Sequence, residues 1–296
     1  GRMDALDSPE QVTLVVTLSY NGRAYSGFAK QKDPRVHTIQ GELERALATL
    51  FRHPVETVCA GRTDAGVHAL EQTITLQLDV EELACREPRK IVTSLNALTP
   101  DDLSITRVGF AAPEFSARFD AVYRVYRYRI VMGGAPPLFA REFSWWHRAP
   151  LDVAAMQEAA RLLEGEHDFK SFCKAASAEG KSTCRYVESI DFFEEEVLGE
   201  RCLTMQIVGN AFLHSMVRTI VGTLVQVGAG HRQPAWVQGV LDARDRQAAG
   251  ENAPACGLTF WHVEYPEGAI APTLEEALQM HRDVRLSESM RKTSRC

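Results

Sequence analysis

The feature that most constrains this chain is an alternation of strand-like and helix-like patterns running through both of its halves. Val12 to Tyr20 alternates and is rich in Val, Thr and Leu, which predicts a strand closed by the Asn21-Gly22 turn. Thr38 to Phe51 sets Ile39, Leu43, Ala46, Leu47 and Leu50 at helical spacing behind Thr38 as N-cap. Thr57 to Ala60 reads as short and extended, Thr73 to Leu78 as a strand, Pro88 to Leu98 as a helix, and Ile105 to Phe110 as a strand. The series restarts after Pro113. Arg124 to Val131 is a strand with Arg124, Tyr126, Tyr128 and Ile130 on one face, and Val153 to Leu163 is an amphipathic helix opened by Asp152. Leu203 to Val208 is a strand, Phe212 to Val227 a mostly apolar helix interrupted by Arg218, Pro234 to Leu241 a short helix, and Leu258 to Val263 a last strand. Such a series predicts an α+β chain whose two halves meet around one sheet. The expected division is a disordered N-terminus with a cloning remnant (1–10), an N-terminal half (11–112), a C-terminal half (113–266) and a C-terminal extension (267–296). A short helix is expected there over Leu274 to Met280, with a frayed end from Arg291.

A chain of 296 residues is long enough for two packed domains. No stretch reaches the roughly 18 uninterrupted apolar residues of a membrane span, and the N-terminus lacks the apolar core of a signal peptide. The expected setting is cytoplasmic, with no membrane partner. Seven scattered cysteines include no C-x-x-C pair, so neither a zinc site nor a disulfide framework is expected. A net charge of −6 argues, taken alone, against a nucleic-acid partner. Its distribution weakens that objection. Six acidic residues and no Lys or Arg lie between Glu188 and Glu200, whereas Arg107 to Arg148 holds seven arginines against Glu114, Asp120 and Glu142. Arginine is the side chain suited to bidentate phosphate contacts and to stacking on bases.

The segment that carries chemistry is Gly61-Arg62-Thr63-Asp64-Ala65-Gly66-Val67-His68-Ala69. Two glycines bracket a loop with an arginine and a carboxylate two residues apart, so Asp64 is able to project into a cleft. An Asp in a glycine-rich turn is commonly no more than an Asx-turn former. The loop does not match a Walker A motif, whose Gly-Lys-Ser/Thr ending is absent. The whole nonapeptide, however, resembles the active-site motif of the tRNA pseudouridine synthase A family. The resemblance continues through Tyr20-Asn21-Gly22, Tyr25-Ser26-Gly27-Phe28, Ala117-Arg118-Phe119, Tyr126-Arg127-Tyr128, Asn210-Ala211-Phe212, Met216-Val217-Arg218, Gly257-Leu258 and Tyr265-Pro266, in that order.

The resemblance implies the pseudouridine synthase fold, with two mixed α/β halves around a central antiparallel-rich sheet. It implies an enzyme that isomerises uridine to pseudouridine in tRNA, on the 3′ side of the anticodon loop and the adjoining stem. It also implies a homodimer and the need for no metal or organic cofactor. Carried over residue by residue, Asp64 is the catalytic carboxylate, and Arg62 fills the space left by the flipped base. Arg218 pairs with Asp64, Tyr126 forms the pocket wall, and Leu258 lies under the uracil. A carboxylate suits the reaction because it can form a covalent intermediate and then leave; the motif leaves open whether it attacks the sugar or the base or first removes a sugar proton. Each assignment has a plainer alternative: a loop salt bridge for Arg62, a cation snorkelling to the surface for Arg218, core packing for Tyr126 and Leu258. His68 and His214 are expected to be structural. Many relatives have Gly-Trp-Gln where this chain has Gly27-Phe28-Ala29, which removes a polar side chain from any tRNA contact there. Two other functions compete. One is an inactive tRNA-binding or chaperone protein on the same fold. The other is an unrelated Asp64 enzyme, for which Glu71 is the only nearby acidic metal ligand.

Overall fold

The computed structural model describes residues 10–283. The N-terminal tail up to residue 9 and the expected frayed end from Arg291 lie outside the described residues. Within them the chain divides into two compact units. The first comprises residues 10–63, Ala69–Val122 and the chain from Val263, and the second Asp64–His68 and Tyr123–His262.

In the first unit the strand β1 (Gln11–Tyr20) leads to the helix α1 (Ile39–Phe51), whose N-cap Thr38 accepts a hydrogen bond from the Gly41 amide. A two-residue strand β2 (Val58–Cys59) precedes β3 (His68–Asp79), of which the part from Ala69 belongs here. A single helical turn α2 (Val80–Leu83), the helix α3 (Pro88–Leu98) and the strand β4 (Leu103–Ala111) follow. β1 is the middle strand, antiparallel to β3 on one side and β4 on the other. Leu14, Leu18, Leu43, Leu47 and Ile74 are fully buried between sheet and helices. Each contributes roughly 1.5–3 kcal/mol of apolar burial. The chain beyond Val263 docks on the same unit. Phe110 and Ala271 exchange backbone hydrogen bonds of 2.7 and 2.8 Å, and Ala269 joins Val15, Ala111 and Phe115 in a small core. A further helix spans Leu274–Asp283.

The second unit holds β5 (Tyr123–Met132), β6 (Trp145–His147), α4 (Val153–Arg161), β7 (Gly165–Asp168), α5 (Ala175–Ala178), β8 (Cys184–Val197), β9 (Glu200–Gly209), α6 (Met216–Gly228), α7 (Trp236–Ala243) and β10 (Leu258–Glu264, through His262). The order is β10-β5-β9-β8-β7, with β6 parallel to β5 and antiparallel pairing from β5 through β9 and β8 to β7. The mixed α/β class with antiparallel-rich pairing is as expected. α4 packs on β8 and α6.

Two local readings change. The sequence did not suggest a strand at Cys184–Val197, where charged residues interrupt the apolar pattern and a bulge at Val187/Ser189 shifts the alternation. The apolar helix expected from Phe212 starts at Met216, because Ser215 takes a left-handed conformation with φ of 63° and breaks the helical path.

Candidate active site around Asp64

The Gly61–Ala69 loop is held separately in each unit. In the first, the Thr63 hydroxyl meets the Tyr20 hydroxyl at 2.8 Å in the core. Gln72 donates to the Gly61 carbonyl at 2.7 Å and to the Tyr20 oxygen at 3.3 Å, and the Phe28 amide donates to the Thr63 carbonyl at 3.0 Å. Burial pushes the Tyr20 phenol far above its ordinary value, so it acts here as a neutral hydrogen-bonding group. Arg62 is exposed and makes no hydrogen bond or ion pair with the described residues.

In the second unit the Val67 amide closes a turn on the Asp64 carbonyl at 3.1 Å, and Gly66 carries φ of +82°, a conformation that favours glycine. His68 is 2% exposed, and its Nε2 lies 2.9 Å from the Glu142 carbonyl and 3.2 Å from that of Cys256. Carbonyls only accept, so Nε2 carries the proton. Burial lowers the His68 pKa below 6.5, and the two carbonyls only partly oppose it. His68 thus ties the end of the loop down as a neutral ring.

The Asp64 carboxylate, 23% exposed, meets three side chains. Arg218 Nη1 donates to Oδ2 at 3.1 Å and Ser215 Oγ donates to the same oxygen at 3.2 Å. His214 Nε2 stands 3.1 Å from Oδ1. Arg218 is itself fixed, its Nε donating to the Ala253 carbonyl at 2.8 Å. All three partners lie at or just before the N-terminus of α6, where free amides and the helix dipole favour an anion. Ser215 is the N-cap, yet its side chain does not cap the helix; its hydroxyl goes to Asp64 instead.

Tyr126 is buried on β5, its ring edge-on to Phe212 and to Phe260 at centroid distances of 5.0 Å each. Leu258 opens β10 and is 5% exposed. Of the five residues singled out in the sequence, Asp64 and Arg218 are in direct contact, Tyr126 and Leu258 share their unit, and Arg62 belongs to the first unit. Ser215 and His214 were not singled out as site residues, although both lie inside the Asn210–Arg218 segment. Their spacing matches no periodic pattern, and only the left-handed turn at Ser215 brings both to Asp64. Among the described residues no group of three or more His, Cys, Asp or Glu side chains is placed to hold a metal ion. None of the described helices is long and apolar enough to cross a membrane.

A family model described as tRNA pseudouridine synthase matches residues 17–123 and 159–266. A tRNA pseudouridine synthase A of Methylococcus capsulatus is 44% identical over 257 residues, covering 86% of this chain and 90% of the relative. Proteins of the same name from Bacillus subtilis and Thermus thermophilus are each 40% identical, covering 85% and 88% of this chain and 98% and 99% of their own. Among solved structures, a chain of a Cbf5-Nop10-Gar1 complex matches at 12% identity with a TM-score of 0.30, covering 76% of this chain and 56% of that one. That likeness is too slight to bear on the fold. With the family model spanning most of its length and relatives this similar, the chain belongs to the tRNA pseudouridine synthase family.

Proposed function

We propose that this protein isomerises uridine to pseudouridine in tRNA, with Asp64 as the catalytic carboxylate and no cofactor. The observation that carries this reading is the Asp64 carboxylate itself: partly exposed, charge-paired to a tethered Arg218, and seated at the N-terminus of α6. The reaction breaks a C–N glycosidic bond, turns the uracil and rejoins it through carbon. A carboxylate is able to form the covalent intermediate and then leave. The base is extruded from its stack first, at a cost of a few kcal/mol. Tyr126 then packs against the extruded base, Leu258 offers an apolar surface beneath it, and exposed Arg62 occupies the space it vacated. The substrate uridines lie on the 3′ side of the anticodon loop and adjoining stem. The enzyme works in the cytoplasm as a homodimer. A monomer that is fully active at micromolar concentration in sedimentation would rule the dimer out.

The deciding experiment is Asp64→Asn, read in both binding and turnover. Asn is nearly isosteric, so the fold survives, but it lacks the carboxylate that covalent catalysis needs. Binding rests on phosphates and RNA shape, which this carboxylate does not serve. The variant is expected to retain tRNA and form no detectable pseudouridine. Retained turnover removes Asp64 from its role. A wild-type protein that binds tRNA without modifying it supports an inactive RNA-binding protein instead.

A further inference from the structure

The two oxygens of Asp64 are not held alike. Oδ2 takes two donors, Arg218 at 3.1 Å and Ser215 at 3.2 Å. Both are anchored: Arg218 is 18% exposed and tied to the Ala253 carbonyl, and the Ser215 carbonyl accepts from the Thr219 amide at 3.0 Å and the Thr219 hydroxyl at 2.9 Å. An oxygen fixed this way is committed to holding the carboxylate in place. Among the described residues Oδ1 meets only His214 Nε2, at 3.1 Å. That imidazole is 46% exposed, and the side-chain bond holding it from the other side is a long one, 3.3 Å between Nδ1 and Ser177 Oγ. Ser177 in turn sits half-buried on the four-residue helix α5.

We infer that Oδ1 is the oxygen Asp64 presents to the uridine, and that His214 is a displaceable guard over it. This assignment rests on the reading of Asp64 as the catalytic carboxylate. The division of labour follows from cost. Freeing Oδ2 would break two anchored contacts, one of them with a partly buried cation, and leave that cation without its partner. Freeing Oδ1 breaks a single contact to a half-exposed ring, which water can solvate once it swings away. In the unliganded protein His214 keeps the carboxylate plane aligned and covers the oxygen. An arriving base displaces the ring, and Arg218 and Ser215 keep the carboxylate in register. Ser177 sets how firmly the guard is held: with the proton on Nε2, Nδ1 accepts from the Ser177 hydroxyl and the ring points its N–H at Oδ1.

The test labels the full-length protein with a water-soluble carbodiimide and glycine ethyl ester, and follows the Asp64 peptide by mass spectrometry. His214→Ala is expected to label Asp64 at least about threefold faster than wild type, the scale of one exposed charge-assisted contact. His214→Gln, which restores a donor at similar reach, should return the rate toward wild type, and Ser177→Ala should fall between. With tRNA, His214→Ala is expected to raise kcat/KM. An unchanged or slower labelling rate in His214→Ala overturns the guard. So does a tenfold or greater fall in kcat at saturating tRNA, which would make the imidazole a participant in the chemistry. Failure of the Asp64 reading would be seen elsewhere, as turnover by Asp64→Asn, and leaves the labelling result untouched.

Discussion

Arg218 sits where a helix least favours a cation, at the third position of α6, near the positive end of the dipole. Its flanks are apolar and buried: Val217, Ile220 and Val221. The arrangement makes sense only through its partners, the Asp64 carboxylate and the Ala253 carbonyl. Arg218→Met keeps the bulk and removes the charge. The expected outcome is a loss of turnover on the order of a hundredfold or more, as for removal of a preorganised electrostatic partner. The unfolding midpoint should drop only modestly, because Met suits the apolar flanks and the exposed edge of Asp64 remains in water. Near wild-type pseudouridine formation would place Arg218 outside the site. At this scale the sequence was most informative where a whole motif could be matched, as for Asp64 and Arg218. It was least informative for Ser215 and His214. Their approach to Asp64 depends on one residue turning left-handed, and a serine carries no signal for that conformation.

α6 does two things as an element: it carries Arg218 and it lets a neighbouring backbone come close. A Cβ on Gly222 would stand 1.7 Å from the Glu251 carbonyl oxygen, so Gly222 is where the 250–253 segment crosses the helix. Gly250 meets the same turn, and the Ala253 amide donates to the Arg218 carbonyl at 3.1 Å. Helix propensity alone would have Gly222→Ala stabilise by about 1 kcal/mol. Here the sign reverses. Overpacking against backbone should cost about 2–3 kcal/mol and lower activity by shifting Ala253 and with it Arg218. Gly239 on α7 is the control: exposed, with nothing within 4 Å of its added Cβ. Gly239→Ala should be neutral or stabilise by up to about 1 kcal/mol. Urea unfolding of the two variants compares them directly, and equal effects would refute the close approach. Helices with clean periodicity, such as α1 and α3, were legible in the sequence, and so was β1 from its Val-, Thr- and Leu-rich run, although it is buried on both faces rather than alternately. β8 was not, because Glu188, Asp191, Glu194 and Glu196 make it look like a solvated charge run, although it pairs with β9 along almost its whole length.

For the whole molecule, charge and titration are the properties that no single element sets. The basic stretch from Arg107 to Arg148 is less free than its composition suggests. Glu195 lies 2.5 Å from Arg129 and 3.8 Å from Arg127, and Arg124 is buried with Nη1 on the Asn210 carbonyl. The acidic strand thus neutralises part of the basic one, which no reading of the sequence as separate blocks would reveal. In the same unit Arg141 and Arg148 remain exposed. Engaging about four phosphates predicts that tRNA affinity falls at least about a hundredfold between about 50 and 200 mM salt, as filter binding would measure; a flat response counts against an RNA substrate. Stability against pH should carry the mark of His68. Burial holds its pKa below 6.5 in the folded protein, whereas the unfolded chain titrates near that ordinary value. Above it both states are neutral and the contribution is fully present. As pH falls through it, the unfolded chain takes up a proton that the folded protein refuses, so stability drops by up to about 1.4 kcal/mol per pH unit until the folded pKa is reached. His68→Gln keeps a donor for the Glu142 and Cys256 carbonyls but does not titrate. Between about pH 7.5 and 5.5 the wild type should therefore lose more unfolding free energy than the variant, while the carboxylates common to both cancel in the comparison. Parallel stability curves for the two proteins would mean that His68 takes up its proton equally in the folded and unfolded protein, and would overturn the lowered pKa that burial gives it.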